Sequence, residues 1–254
     1  MLLAVDVGNT QTVLGLFAGE ALDAHWRISS NASLTSDELR ITVSALLAQD
    51  ARSWSDIDEV ILSSVVPRLT AAWDDVVEGA AACELIIVGP GLKTGLPIHY
   101  DNPHEVGADR IVNSVAAVAA WGAPVIVVDF GTATTIDVVG ADGAYLGGAI
   151  APGVETSAEA LFSKAARLSK VDLEPPAKVI GTNTRASVQA GLMLGEAAMV
   201  DGLVRGAWAE LGVETAVVAT GGLAPIMAPL CATVGHVDVD LTLTGLRLIR
   251  DLNR

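Results

Sequence analysis

Asp6-Val7-Gly8-Asn9-Thr10-Gln11-Thr12-Val13 returns 123 residues later as Asp129-Phe130-Gly131-Thr132-Ala133-Thr134-Thr135-Ile136. Each copy follows an apolar run, residues 2–5 in one and 125–128 in the other. Each leads into a second run, residues 13–17 and 136–139. Apolar runs bounded by Gly and hydroxyl residues predict strand, tight turn, strand. Self-similarity at an offset close to half the chain marks a duplicated unit. A further pair supports it: Val60-Ile61-Leu62-Ser63-Ser64 resembles Val217-Val218-Ala219-Thr220-Gly221, again a buried strand ending in a small polar turn.

Helical patterns lie between these strands. One begins at Thr35, with Glu38 at capping-box spacing, and runs to about Gln49. Another runs from Arg185 to Leu211, with Val188, Leu192 and Met199 among its apolar positions. A third is expected from Asn102, a good N-cap, with Pro103 at the favoured first position and Glu105 three residues past the cap. The pattern predicts two similar α/β halves, 1–118 and 119–254, with their boundary within 115–122 and a cleft between them, a common place for a ligand.

Composition excludes several classes. With 254 residues the chain is long enough for a large core. Thirty acidic against fifteen basic residues give a net charge of −15. Only four lysines are present, so the basic face that a nucleic-acid backbone requires is missing. Residues 111–128 are uncharged over a length that nominally spans a bilayer, but Asn113, Ser114 and the Trp121-Gly122-Ala123-Pro124 turn break the stretch. It reads as a buried helix followed by a buried strand, so no membrane partner is expected. Asp6 comes too early for a secretory signal. Cys83 and Cys231 are far apart without metal spacing, and His25, His99, His104 and His236 form no ligand pair at helical spacing. A reduced, cytoplasmic protein is the expectation.

An Asp at the end of a buried strand, followed by Gly and hydroxyl residues, has a specific chemical use. Backbone N–H groups of the turn and Thr hydroxyls can hold phosphate oxygens. The carboxylate can hold a cation that neutralises them. A single Asp-x-Gly-x-Thr is also an ordinary hairpin turn; recurrence after a hydrophobic strand in both halves favours the phosphate reading. Competing nucleotide motifs fail. Leu92 stands between Gly91 and Lys93, spoiling a P-loop, and no G-x-G-x-x-G follows a strand.

Taken together, Asp6-Val-Gly-Asn-Thr10, Asn102-Pro-His-Glu-Val-Gly-Ala-Asp-Arg110, Asp129-Phe-Gly-Thr-Ala-Thr134 and Thr220-Gly-Gly-Leu-Ala224 resemble type III pantothenate kinase, a family of the acetate and sugar kinase/actin superfamily. The resemblance runs to the terminal Leu241-Thr-Leu-Thr-Gly-Leu-Arg247 stretch. The Gly107-Ala108-Asp109-Arg110 block is its most particular element, whereas Asp-x-Gly turns are shared by the wider superfamily. The resemblance implies a duplicated actin-like, ribonuclease H-like fold. It also implies ATP-dependent phosphorylation of the primary hydroxyl of pantothenate, the first step of coenzyme A synthesis.

Carried over by position, Asp6, Val7, Gly8, Asn9, Thr10, Gln11, Thr12 and Val13 would bind ATP phosphates, with Asp6 positioning a divalent cation such as Mg²⁺. Asp109 would be the general base. Gly107, Ala108 and Arg110 would hold pantothenate beside Tyr100 and Thr184. Asp129 would bind a monovalent cation, K⁺ or NH₄⁺, and Thr132 would contact ATP. Family members are generally homodimers, so a homodimer is expected.

From the residues alone, Gly221 and Gly222 after a buried strand allow close backbone approach, suiting an adenine or ribose face or a bare strand-to-helix turn. Asp109 is expected on the second turn of its helix, where Glu105 at i−4 would raise its pKa by like-charge repulsion. For Thr184 a plain N-cap stays open beside the substrate role. Two rival functions on this fold are a non-catalytic nucleotide-binding accessory protein, expected to lack the base, and another small-molecule kinase or a polyphosphate phosphatase, expected to lack the block at residues 107–110.

Overall fold

In the computed structural model, which describes residues 1–80, 83–165 and 170–254, the first apolar run forms β1 (Leu2–Val7). Apolar residues on both faces suit a strand covered on both sides, and Leu2, Leu3, Ala4 and Val5 are all buried. The turn returns the chain antiparallel as β2 (Gln11–Ala18), and β3 (Ala21–Ser29) pairs antiparallel with β2. Next comes α1 (Ser36–Gln49), capped by Thr35 with the full capping box to Glu38, as expected. It leads to β4 (Glu59–Ser64), parallel to β1. The helix α2 (Pro67–Ala80) then leads to β5 (Leu85–Ile87), parallel to β4. The sheet order is β3-β2-β1-β4-β5.

The long uncharged stretch resolves as predicted into α3 (Ala108–Trp121) and β6 (Val125–Phe130). Among the described residues no helix is long and apolar enough to cross a membrane. After β6 come β7 (Ala133–Val139), β8 (Tyr145–Pro152) and α4 (Val154–Lys164). The predicted long helix is α5 (Thr184–Gln189), a π turn at Ala190–Leu194, and α6 (Gly195–Leu211). Gly212 ends it in the left-handed conformation at φ 72°, where Gly carries no Cβ penalty. The chain closes with β9 (Ala216–Thr220), α7 (Ala224–Met227), β10 (His236–Val237) and α8 (Leu241–Asp251).

The second sheet has the order β10-β9-β6-β7-β8. Strand for strand this repeats the first, with two successive antiparallel pairings on one side of β6 and two successive parallel pairings on the other. The two turns differ in length. Val7 pairs with Thr12 across residues 8–11, whereas Phe130 pairs with Thr134 across residues 131–133. The ladder partner equivalent to Thr12 is therefore Thr134, one residue before the position that the constant sequence offset selects.

Contacts divide the chain into two units. One comprises Met1–Leu96, Asn102–Ala116 and Thr242–Arg254; the other comprises Pro97–Asp101 and Ala117–Leu241. A contiguous division at 118/119 leaves α8 with the second half, but its apolar face packs into the first unit. Leu243, Leu246 and Ile249 join Leu2, Ala4, Phe17, Ile61 and Val112 in one cluster. The opposite face of that sheet is covered by Leu39, Val43 and Leu47 of α1 and by Leu69, Trp73 and Val76 of α2. In the second unit Met193, Ala197, Val200 and Val204 pack on Ile126, Val128 and Phe130.

Helix α8 holds α3 at very close range. A Cβ on Gly245 would lie 2.1 Å from the Val112 carbonyl oxygen, and Thr242 Oγ1 donates to Asn113 Oδ1 at 2.7 Å. Ala in a helix interior gains about 1 kcal/mol over Gly, but here the obstacle is backbone and overpacking dominates. Gly245→Ala is expected to lower stability by about 1–3 kcal/mol in urea unfolding. Gly206→Ala, where a Cβ meets nothing within 4 Å, is expected to raise it by up to about 1 kcal/mol. Equal effects of the two changes would contradict the close helix crossing.

Candidate active site

The first turn is built by the β1–β2 ladder. Asp6 pairs with Val13 and Val7 with Thr12, and the Gly8 N–H donates to the Gln11 carbonyl at 3.0 Å. Thr12 is buried, its Oγ1 2.8 Å from Ser30 Oγ. Asn9, Thr10 and Gln11 stand exposed at the tip, and Asp6 is partly buried at its base. Val7 and Thr12 therefore act from inside, fixing the turn, while residues 9–11 face outward.

In the second unit Asp129 lies opposite Thr135 on one side and Thr220 on the other. The Thr132 carbonyl accepts the Gly153 N–H at 3.1 Å and Thr156 Oγ1 at 2.6 Å, tying the start of α4 to the turn. The Thr132 residue itself is exposed. Gly221 has φ 92°, and a Cβ there would lie 2.3 Å from Asp129 Oδ1 and 2.6 Å from the Phe130 carbonyl oxygen. The close approach at Gly221 is made by the protein's own carboxylate and carbonyl. Gly222, next in the chain, is exposed.

The expectation of one helix from Asn102 is corrected. Asn102 caps, its Oδ1 accepting the His104 N–H at 3.3 Å, but only a single 3₁₀ turn at Pro103–Glu105 follows. Val106 is extended, and α3 begins at Ala108. Asp109 therefore sits in the first turn of α3. Glu105 is exposed, its Oε1 accepting from Asn102 Nδ2 at 2.8 Å, and does not act on Asp109. Burial instead pushes the Asp109 carboxyl up, opposed by the Arg110 N–H, which donates to Oδ1 at 2.9 Å, and by the Arg110 charge. A Cβ on Gly107 would fall 2.5 Å from Asp109 Oδ1. Gly107 leaves the room into which this carboxylate folds. Ala108 packs on the core that Val112 and α8 share, and Arg110 is buried.

Tyr100, half-exposed, lies with its ring centroid 6.3 Å from that of Tyr145 and with Cε2 3.2 Å from where a Cβ of Gly147 would stand. Gly147, at φ 117°, provides the flat backbone under the ring. Thr184 opens α5, but the cap is Asn183, whose Oδ1 accepts the Ala186 N–H at 2.9 Å. Thr184, Ser187 and Gly191 face Ser157 and Leu161 of α4 across an open groove of about 870 Å³.

The sequence model of the type III pantothenate kinase family matches residues 2–206. A type III pantothenate kinase of Moorella thermoacetica is 47% identical over 253 residues, covering 100% of both chains. The chain belongs to the type III pantothenate kinase family. Among solved structures, a conserved Baf family protein from Campylobacter jejuni has a TM-score of 0.63 at 18% identity, over 99% of this chain and 98% of that one. An inorganic polyphosphate/ATP-glucomannokinase from Arthrobacter sp. strain KM has a TM-score of 0.53 at 13% identity, over 100% and 99%. These likenesses are of fold alone, the duplicated α/β architecture of actin-like kinases.

Two buried carboxylates of the chain lie close to residues of interest without a motif to announce them. Glu196, on the core face of α6, accepts a hydrogen bond from Thr134 Oγ1 of β7, just after the second turn, and burial pushes its carboxyl up. A charged residue inside the apolar stripe of Met193, Ala197 and Val200 was its one signal. Asp137, fully buried, accepts Tyr145 Oη at 2.8 Å and Thr135 Oγ1 at 2.9 Å, anchoring the ring against which Tyr100 lies.

The raised pKa of Asp109 has a sign for stability. A carboxyl whose native pKa exceeds its unfolded value costs stability when ionised. That cost is absent below the unfolded value, near 3.8, and complete above the native one. Asp109→Asn is expected to raise Tm at pH 7, with the gain shrinking as pH falls through the raised value. A lower Tm for the variant at pH 7 would contradict burial as the cause.

Proposed function

We propose that the chain transfers the terminal phosphoryl group of ATP to the primary hydroxyl of pantothenate, giving 4′-phosphopantothenate and ADP. The observation that carries this reading is the Gly107–Arg110 block, in a chain of this family, presenting a partly buried carboxyl of raised pKa at the head of α3. In this reading Asp109 takes the proton of the hydroxyl as its oxygen bonds to the terminal phosphorus and the bond to the ADP oxygen breaks. A carboxylate of raised pKa is the stronger base for that step, and base catalysis supplies typically about 10²–10⁴-fold. The remainder is positioning and charge neutralisation.

The donor set fits a metal–nucleotide pair. Among the described residues no group of three or more His, Cys, Asp and Glu could hold a metal alone. A single carboxylate such as Asp6, completed by phosphate oxygens, is how Mg²⁺ is commonly bound. The bound cation would offset phosphate charge. Asp6 would orient it, and residues 7–13 would hold the phosphates through the exposed Asn9-Thr10-Gln11 tip. In the second unit Thr132, Gly221 and Gly222 would meet the nucleotide, and Asp129 would hold the monovalent cation. Arg110, Gly107 and Ala108 with Tyr100 and Thr184 would hold pantothenate. A cytoplasmic homodimer completes the proposal.

The test is phosphopantothenate formation from ATP, Mg²⁺ and pantothenate, followed by ³¹P NMR in K⁺ and in Na⁺. Product is expected, and faster in K⁺. Asp109→Asn is expected to lose about 10²–10⁴-fold in kcat, while its ATP affinity by calorimetry stays within about threefold. No product in either salt would overturn the kinase reading in favour of an accessory protein. Wild-type turnover in Asp109→Asn would remove Asp109 as base.

A further inference from the structure

Among the described residues, two buried hydroxyls have no hydrogen-bond partner, Ser63 Oγ and Thr220 Oγ1. Ser63 is 0% exposed and Thr220 1%. A buried hydroxyl left unpaired costs about 1–3 kcal/mol, so each calls for a reason. The two occupy the same place in the duplicated fold. Ser63 is the cross-strand neighbour of Asp6 in the β1/β4 pairing, and Thr220 is that of Asp129 in β6/β9. Register partners on neighbouring strands point to one face of a sheet about 4.8 Å apart.

The strand on the far side does not supply a common partner. Beside β4 lies Val88, just after β5, whose N–H donates to the Leu62 carbonyl; beside β9 lies Asp238, just after β10, whose N–H donates to the Ala219 carbonyl. One neighbour is apolar. The other has a carboxylate engaged by the Asp240 N–H at 3.0 Å. The acceptor shared by both halves is the strand-end aspartate.

Both hydroxyl oxygens lie too deep to touch an ion from solvent, whereas both aspartates are partly exposed. We propose that Ser63 and Thr220 are positioning residues for Asp6 and Asp129. Each donates its hydroxyl to the inner oxygen of its carboxylate when a cation is held at the outer one. This rests on the reading of Asp6 and Asp129 as cation ligands given above. A donor behind a ligating carboxylate fixes its rotamer, and loss of such a partner typically weakens metal affinity about 10–100-fold. The two halves are not interchangeable. Gly221, just after β9, lets Asp129 Oδ1 lie against it, whereas Ser64 in the equivalent position of the first unit engages the Val66 N–H and Thr70 Oγ1.

Thr220→Val keeps the volume and removes the hydroxyl; Thr220→Ser keeps the hydroxyl. Tm is measured in KCl titrations at ionic strength held constant with choline chloride, and in MnCl₂ titrations with ATP present. Ion-free Thr220→Val is expected to melt at or above the wild-type Tm, since an unpaired hydroxyl is removed. Its K⁺ half-saturation is expected to move up about 10–100-fold, with Thr220→Ser at the wild-type value. Ser63→Ala is expected to shift the Mn²⁺ titration and leave that of K⁺ in place. Unshifted half-saturations in both variants would overturn the proposal. So would a wild-type protein answering neither ion, or a lower ion-free Tm with no change in half-saturation. Pantothenate is absent from these titrations, so failure to phosphorylate it tells against the proposed function alone.

Discussion

The parallel pairing of β1 with β4, repeated by β6 with β9, places a carboxylate next to the end of a strand that is covered on both faces. A carboxylate deeper in such a strand would be desolvated without a partner. Asp6 and Asp129 each stand one residue from the strand end, partly exposed. In α/β sheets ligands gather beyond the carboxyl ends of parallel strands. The antiparallel hairpin on the other side of each central strand then brings the Gly-containing turn back beside the same carboxylate.

The head of α3 depends on a different kind of contact. Its first turn holds Asp109 in a position that burial makes basic, and Gly107 leaves the space for that carboxylate. What fixes the helix axis in the first unit is α8, the last element of the chain, through Gly245 against the Val112 carbonyl and Thr242 against Asn113. A residue far in sequence from the block at 107–110 thus governs where that block sits.

Local signals made much of this legible. The capping box at Thr35 marked its helix to the residue, and the repeated Asp-x-Gly turns revealed the duplication. The uncharged stretch 111–128 declared itself as helix and strand through one turn. What escaped was decided by tertiary packing. Asn102 caps a single turn because Val106 is extended, so the repulsion assigned to Glu105 gives way to burial. The second turn is one residue shorter than the first, a difference that a constant offset hides. Glu196 and Asp137 are buried carboxylates whose partners, Thr134 and Tyr145, come from other elements. The return of α8 to the first unit needs long-range apolar contacts that no local pattern encodes.

The acidity of the chain fits this arrangement. Turn amides, threonine hydroxyls and bound cations are means of holding phosphate that do not need lysine. The proposed role of the partly buried Asp109 as general base is read from the pH profile of kcat/KM for pantothenate. An acid limb above the ordinary aspartate value of 3.8 is expected, absent from the residual activity of Asp109→Asn. A limb at the ordinary value, or one that survives the substitution, would contradict it.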